Sequence, residues 1–311
     1  MLKQLYRLTT PWGIASKRQL FKNRLLGRLT NYLYPAHCAL RPLKARAKAQ
    51  AASPRVIVTL TTFPRRAGKL HLCLESILRQ TRPADLVLLY LAREEFPTPD
   101  TVPEPLRRMA ENGLIEIRYC ENLRSFKKIF FSAQEYPKDI LITADDDTFY
   151  PEDWIEGLMK LWKAHPDCVC CYRAAGIRLD EKGAPLPYSR FDKLSNGVKG
   201  PSFLLLPTGV GGVLYPPRAF AGVTFDAKAV MALCPTADDL WLRAVLMQKG
   251  LPVVKARENS TEWFTVLGSQ RWSLKDVNVG ANGKNDDAMK NLVEAYRLDF
   301  RACEARLTGA E

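Results

Sequence analysis

Two runs of carboxylates are the residues of this chain best suited to do chemistry. Asp145, Asp146 and Asp147 stand together after a short apolar run, and Asp238 and Asp239 stand together far downstream. Three adjacent carboxylates repel one another unless a cation sits among them. In extended backbone alternate residues share a side, so Asp145 and Asp147 are expected to point together. One or two carboxylates plus substrate phosphate oxygens are the usual surroundings of Mg2+ or Mn2+. A carboxylate at Asp238 or Asp239 suits another task, taking the proton from an attacking hydroxyl. The plainer reading of both runs is helix capping, since Asp147 and Thr148 precede one helical stretch and Thr236 or Asp238 another.

Other candidates lie between and around these runs. Lys127 and Lys128 in "NLRSFKK" are either point charges for a diphosphate or a solvated helix start. Gly209, Gly211 and Gly212 in "PTGVGGVLYPP" allow close backbone approach to a ligand, or simply a turn. Trp241 offers a ring to stack on a sugar, although single aromatics are commonly core. Near the carboxyl end, Asp276, Asn278, Asn282, Asp286 and Asp287 offer further oxygen ligands, a lid or a surface loop.

The elements that must position these groups follow from periodicity. Val56 to Leu60 is a β-branched run ended by Thr61-Thr62-Phe63-Pro64, and Leu70, Leu74, Ile77 and Leu78 then recur at helical spacing. Further strands are expected at Leu86–Leu91, Leu114–Tyr119 and Asp139–Thr143. A helix is expected around Phe126 to Ala133, and another over Pro151–Ala164 with proline in its first turn. Such alternation predicts an α/β fold, a mainly parallel sheet flanked by helices on both faces. Ligands bind outside the carboxyl ends of such strands, where Thr61 to Arg65 and Asp145 to Asp147 fall. Beyond Cys171, glycine and proline are dense and loops are expected.

Composition narrows the class. With 311 residues, 47% of them hydrophobic, the chain is neither a disordered protein nor a disulfide-stapled miniprotein. Its longest apolar run, the seven residues Leu86–Ala92, falls short of the ~20 a membrane helix needs. No membrane span and no secretory signal are expected. The net charge of +13 is concentrated: residues 1–52 hold eleven cations and no acid, leaving the rest at +2. That argues against a nucleic-acid-binding domain, whose cations spread over a folded face. Within the arm, Leu20, Phe21, Leu25 and Leu29 recur at helical spacing among Lys17, Arg18, Lys22, Arg24 and Arg28. Such a helix, expected over Ser16–Tyr34, either lies on an anionic membrane or docks on the body. Residues 35–54 read as a linker. Eight scattered cysteines without a CxxC pair are expected to be reduced and buried, implying a reducing compartment.

The stretch "ILITADDDTFYPEDWIEGL" resembles the DXD region of GT-A-fold glycosyltransferases, particularly the family 2-like bacterial enzymes of surface-polysaccharide synthesis. "VIVTLTTFPRRAGKLHLCLESILRQT" is similar to their opening strand and helix, and the likeness spans roughly residues 55–250. The resemblance implies a Rossmann-like GT-A sheet, a nucleotide-sugar donor, Mn2+ or Mg2+, and transfer to an acceptor hydroxyl. It makes Asp147 the acid on the metal and Asp145 the acid facing ribose or metal, with Asp146 a ligand if the register slides by one. Thr59, Thr61 and Thr62, with Arg65 of the same loop, fall where the donor is held. Lys127 and Lys128 would reach its diphosphate. "LCPTADDLWLRAVL" resembles the ED-type motif of inverting members, implying Asp239 as base with Asp238 beside it. Gly211, Gly212 and Trp241 then border the acceptor. The second strand departs from the pattern, ending in Tyr90-Leu91-Ala92 without an acidic turn.

The expected organisation is a basic arm and linker (1–54), a catalytic domain (55–275) and a carboxyl-terminal lid and helix (276–311). The catalytic domain divides into a nucleotide-sugar half (55–171) and an acceptor half (172–275). The expected protein is a cytoplasmic, inverting glycosyltransferase, peripheral at the inner face of the cytoplasmic membrane. Its partners would be a nucleotide-sugar donor, a glycan or glycolipid acceptor and an anionic membrane surface bound through residues 1–52, with no nucleic acid. Alternatives are a sugar nucleotidyltransferase and, outside enzymology, a nucleic-acid-binding protein acting through its basic arm.

Overall fold

Val56-Ile57-Val58-Thr59-Leu60-Thr61 forms β1, almost wholly buried, as a β-branched strand covered on both faces must be. The computed structural model describes residues 1–11, 14–43, 53–260, 263–269 and 284–309. Around β1 the chain alternates α3 (Pro64–Leu78), β2 (Leu86–Ala92), α4 (Glu104–Glu111), β3 (Glu116–Cys120), α5 (Lys127–Glu135), β4 (Ile140–Thr143) and α6 (Trp154–Ala164). The chain continues with β5 (Val169–Cys171), β6 (Ala174–Gly176), β7 (Leu205–Pro207), β8 (Val213–Tyr215), α7 (Ala227–Leu233), α8 (Asp238–Gln248) and β9 (Val253–Lys255). The helices α9 (Lys284–Tyr296) and α10 (Phe300–Thr308) close the described chain, and α1 (Leu2–Arg7) and α2 (Lys17–Ala39) form the arm.

Among the described residues seven strands make one sheet in the order β3-β2-β1-β4-β8-β5-β9, with β6 and β7 pairing apart. All neighbours in the large sheet are parallel except at β8, which runs against both β4 and β5. The expected α/β class and mainly parallel sheet are therefore present. Successive side chains of β1 go to opposite faces. Val56, Val58 and Leu60 pack with Leu70 and Leu74 of α3 and Trp154 of α6, whereas Ile57 faces Ile129 and Phe130 of α5.

Three expectations shift at their edges. The third strand begins two residues later than expected and ends one later. α6 begins at Trp154, with Pro151 in the preceding turn. The arm helix continues through Pro35 to Ala39, so the presumed linker starts later. Proline removes one helical hydrogen bond, but Tyr34 and Cys38 on either side of it are buried against Phe149 and Leu26, which offsets that loss. Residues 44–52 of the linker lie outside the described residues. All eight cysteines are unbridged thiols, seven of them buried, in line with their reading as small core residues.

The register brings the site together. Thr59 pairs with Thr143, so the chain leaving β4 emerges beside Thr61 and Thr62. Val213 pairs with both Thr143 and Cys171. Because β8 is antiparallel, the glycine loop entering it reaches that same edge.

Candidate active site

The acids after β4 do not point together. The chain turns at Asp146 and Asp147, which breaks the alternation expected of extended backbone. Asp145 faces α5, where the Lys128 ammonium lies 3.2 Å from its Oδ1. Asp146 and Asp147 face α3 instead. Arg66 reaches Oδ1 of Asp146 at 2.7 Å and Oδ2 of Asp147 at 3.3 Å. Thr62 Oγ1 donates to the other oxygen of Asp146 at 2.7 Å. The backbone around them is fastened too: Asp145 N–H donates to the Tyr150 hydroxyl at 2.8 Å, and Cys73 Sγ donates to the Asp145 carbonyl.

Burial raises the Asp146 carboxyl above its usual range, against the opposing pull of Arg66 and Thr62. Burial, then the negative charges of Asp145 and Asp146, push Asp147 up to about 6, with Arg66 and Ser269 opposing. The same acids, working against burial, hold the Arg66 guanidinium above its ordinary value.

Lys128 joins the two acidic runs. Its Nζ lies 3.3 Å from Asp238 Oδ2 as well as beside Asp145. Burial works against its charge, yet Asp238, Asp145 and Asp239 together keep its pKa well above the ordinary lysine value. Neither acid caps α8. Ala237 is the N-cap, without a side-chain bond, and both carboxylates sit in the first turn where the helix dipole favours negative charge. Burial, then Asp238, push the Asp239 carboxyl up to about 7. Its Oδ2 accepts the Gly209 N–H at 3.2 Å.

Of the three glycines, Gly209 is the one at the acids. A Cβ there would meet Asp145 Oδ1 at 2.9 Å and Lys128 Nζ at 3.2 Å. Gly211 and Gly212 serve packing instead. Both have positive φ, and Cβ atoms there would meet Trp263 at 2.6 Å and Trp154 at 2.4 Å. The Gly211 carbonyl also accepts the Trp154 indole N–H at 2.6 Å. Their expected place at an acceptor is therefore corrected to a bed for two tryptophans. Trp241 is corrected as well. It is fully buried among Phe126, Phe130 and Phe225, with its indole N–H on the Tyr296 hydroxyl, so no face of the ring remains for a sugar.

The donor-side expectations divide similarly. Thr59 is buried and donates to the Lys128 carbonyl, pinning α5 to β1, and Thr61 Oγ1 donates to the Tyr90 carbonyl at 2.8 Å. These two threonines position the frame. Arg65 is exposed at the start of α3, and its neighbour Arg66 is the one turned onto the acids. Lys127 points away from them, 2.9 Å from Glu95 and within reach of Asn122.

Two further groups were not anticipated. Arg173, just past β5, is half-buried where Asp145 and Asp239 act on it, and its desolvation lowers its pKa. Tyr188 lies close enough to Asp239 for that charge, after burial, to raise its hydroxyl pKa. The Tyr188 N–H donates to Asp286 at 2.5 Å, which engages one of the carboxyl-terminal candidates. Asp276, Asn278 and Asn282 lie outside the described residues.

The arm supports this edge from the far side of the acids. Phe149 N–H donates to the Phe264 carbonyl, and Val266 N–H donates to the Asp147 carbonyl at 2.8 Å. Tyr6 of α1 stacks on Phe264 with centroids 4.3 Å apart, and its hydroxyl donates to the Phe149 carbonyl at 2.6 Å. Asn31 of α2 bonds the backbone of Thr265 and Leu267. The arm thus grips the strand-like segment that lines Asp147.

No family model and no curated protein matches the chain. Among solved structures, the chain is similar to the mannosyltransferase PcManGT from Pyrobaculum calidifontis in complex with GDP-Man and Mn2+. The identity is 16% over 91% of this chain and 88% of that one, with a TM-score of 0.47. It is also similar to S. aureus TarS 1-349, at 10% identity over 81% of this chain and 74% of that one, with a TM-score of 0.47. A third is CMP:2-keto-3-deoxy-manno-octonic acid synthetase complexed with CTP, 11% identical over 66% of this chain and 89% of that one, TM-score 0.37.

Proposed function

We propose that this chain is a glycosyltransferase that moves a sugar from a nucleotide-sugar donor to a hydroxyl of a lipid-linked or polysaccharide acceptor, by a single inverting displacement. The observation that carries this reading is the meeting of the two acidic runs on Lys128, with Asp239 beside them. A carboxyl raised to about 7 is matched to general-base work near neutrality. Gly209 holds one oxygen of Asp239, leaving the other to accept the proton. The acceptor oxygen bonds to the anomeric carbon as its proton passes to Asp239. The bond from that carbon to phosphate oxygen breaks, and the nucleoside diphosphate leaves with the electron pair. Lys128 and Arg66 are the chain's own cations at this edge, suited to the charge on the leaving group.

The resemblance implies Mn2+ or Mg2+ at Asp145 and Asp147. As arranged, those acids are paired with Lys128 and Arg66, and among the described residues no group of three His, Cys, Asp or Glu is assembled to hold a metal. The described protein ligands alone do not assemble an ion site in this arrangement, and one or two of these carboxylates would hold an ion together with donor phosphate oxygens. An ion would enter by displacing one of the two cations, and the steps above are those of the chain's own groups.

The test is transfer from a panel of nucleotide sugars, followed by release of nucleoside diphosphate. Asp239→Asn is expected to lower the rate by about 10²–10⁴-fold with unfolding temperature retained. Undiminished transfer by Asp239→Asn rejects the assignment of the base. Pyrophosphate release from a nucleoside triphosphate and a sugar phosphate, with no sugar transfer, replaces the reading by a nucleotidyltransferase.

A further inference from the structure

The arm helix α2 carries a packed stripe on one side and an exposed apolar stripe on the other. One, built from Asn23, Leu26, Thr30, Tyr34 and Cys38, is buried against the body. The other recurs as Phe21, Leu25, Leu29, Tyr32 and Leu33, at the four- and three-residue steps of a single helix face. All five are exposed, Phe21 by 70% and Tyr32 by 71%. Lys17, Arg18, Lys22, Arg24 and Arg28 are exposed on and beside the same face, and α2 contains no Asp or Glu. The two expectations for this helix, docked on the body or laid on a membrane, therefore belong to different sides of it.

We propose that the outward face of α2 is a docking surface for an anionic lipid bilayer. The large apolar side chains would sink to the acyl boundary while the cations meet anionic headgroups. Charge decides the occupant. A second copy of this chain would bring an equally cationic helix against this one, and like charges oppose that pairing. A nucleic acid would use the cations but leave Phe21, Leu25 and Leu29 in water. Among the described residues no helix is long and apolar enough to cross a membrane, so the surface is peripheral. The assignment stands on the helix alone and does not depend on the chemistry at the acids.

The test is co-sedimentation of the full chain with vesicles of phosphatidylcholine and phosphatidylglycerol in a two-to-one ratio, and with phosphatidylcholine alone. Binding is expected on the anionic vesicles and little on the neutral ones. The double variant Phe21→Ser/Leu25→Ser is expected to lose about tenfold or more in partitioning. Its unfolding temperature should be retained, since both side chains stand outside the packed face. Arg24→Gln and Arg28→Gln should each weaken binding about fivefold on anionic vesicles. Absence of binding to anionic vesicles overturns the proposal, as does undiminished binding by the double serine variant. A dimer in sedimentation equilibrium that this variant dissolves assigns the face to a second copy. Salt-sensitive binding of duplex DNA by the full chain, with no vesicle binding, assigns it to nucleic acid.

Discussion

The Lys128 ammonium stands 3.3 Å from Asp238, tying the first turn of α5 to the first turn of α8. Both groups are buried, so this pair is a joint of the fold as well as a feature of the site. Breaking a buried pair by removing one partner costs about 3–5 kcal/mol, because the other charge is left uncompensated. Lys128→Met should therefore lower stability by about that amount in chemical denaturation. Lys128→Met/Asp238→Asn should recover part of the loss without recovering sugar transfer. Equal stability of the single and double variants would show that the two groups are not coupled.

Asp147 gives a pH signature. Its carboxyl is raised from the ordinary value to about 6, so the folded chain binds more protons than the unfolded chain between about pH 4 and pH 6. Its contribution to stability is present at low pH and is lost as pH rises through that window. Asp147→Asn should accordingly raise the unfolding temperature at pH 8, by at most about 3 kcal/mol in stability, and change it little at pH 4. A variant less stable than wild type at pH 8 would mean that the contacts of Asp147 with Arg66 and Ser269 outweigh its burial.

The glycines separate site from scaffold. Gly212→Ala puts a methyl group 2.4 Å from the Trp154 ring at a positive φ, and should destabilise by roughly 2 kcal/mol or more. Gly209→Ala meets side-chain ends that can shift, Asp145 Oδ1 and Lys128 Nζ. It is expected to reduce transfer more than tenfold with a smaller loss of stability. Thermal unfolding alongside initial rates distinguishes the two, and a reversed order would move the site away from Gly209.

Arg66 competes with any divalent ion. Its guanidinium contacts both Asp146 and Asp147, so Arg66→Ala leaves two neighbouring carboxylates without that cation. Manganese binding, followed by the electron paramagnetic resonance of the free ion, should tighten by about tenfold in Arg66→Ala. Unchanged affinity would show that manganese does not enter between Arg66 and these acids.

Much of the frame was legible in the sequence because buried parallel strands advertise themselves. Val56–Leu60 and Leu86–Leu91 are near-continuous apolar runs, and each acidic run follows a recognisable element boundary. Side-chain direction was less legible. Asp145 and Asp147 were expected to point together, and the turn at Asp146 and Asp147 separates them. Arg65 and Arg66 are chemically identical in sequence. Only the phase of α3, set by Pro64 in its first turn, decides which one faces the acids. Trp241 adjoins two functional candidates, yet α8 is buried nearly all round and takes its tryptophan into the core. Arg173 and Tyr188 lie in the excursion between β5 and β8, whose long-range pairing no local pattern records.

That return has a practical consequence. Cys171 and Val213 are direct partners on adjacent strands, so the whole excursion from 172 to 212 departs and arrives at neighbouring points of the sheet. Paired strands lie about 4.7–4.9 Å apart, and an exchanged segment has to span only that gap. Loop-closure entropy grows slowly with length, so the limit on a replacement is set instead by the core residues this excursion supplies, among them Ala174, Ile177, Phe203, Leu205 and Leu206. Replacing the excursion would exchange Arg173, Tyr188 and the glycine approach together, and a replacement must also restore the bed that Gly211 and Gly212 make for Trp263 and Trp154.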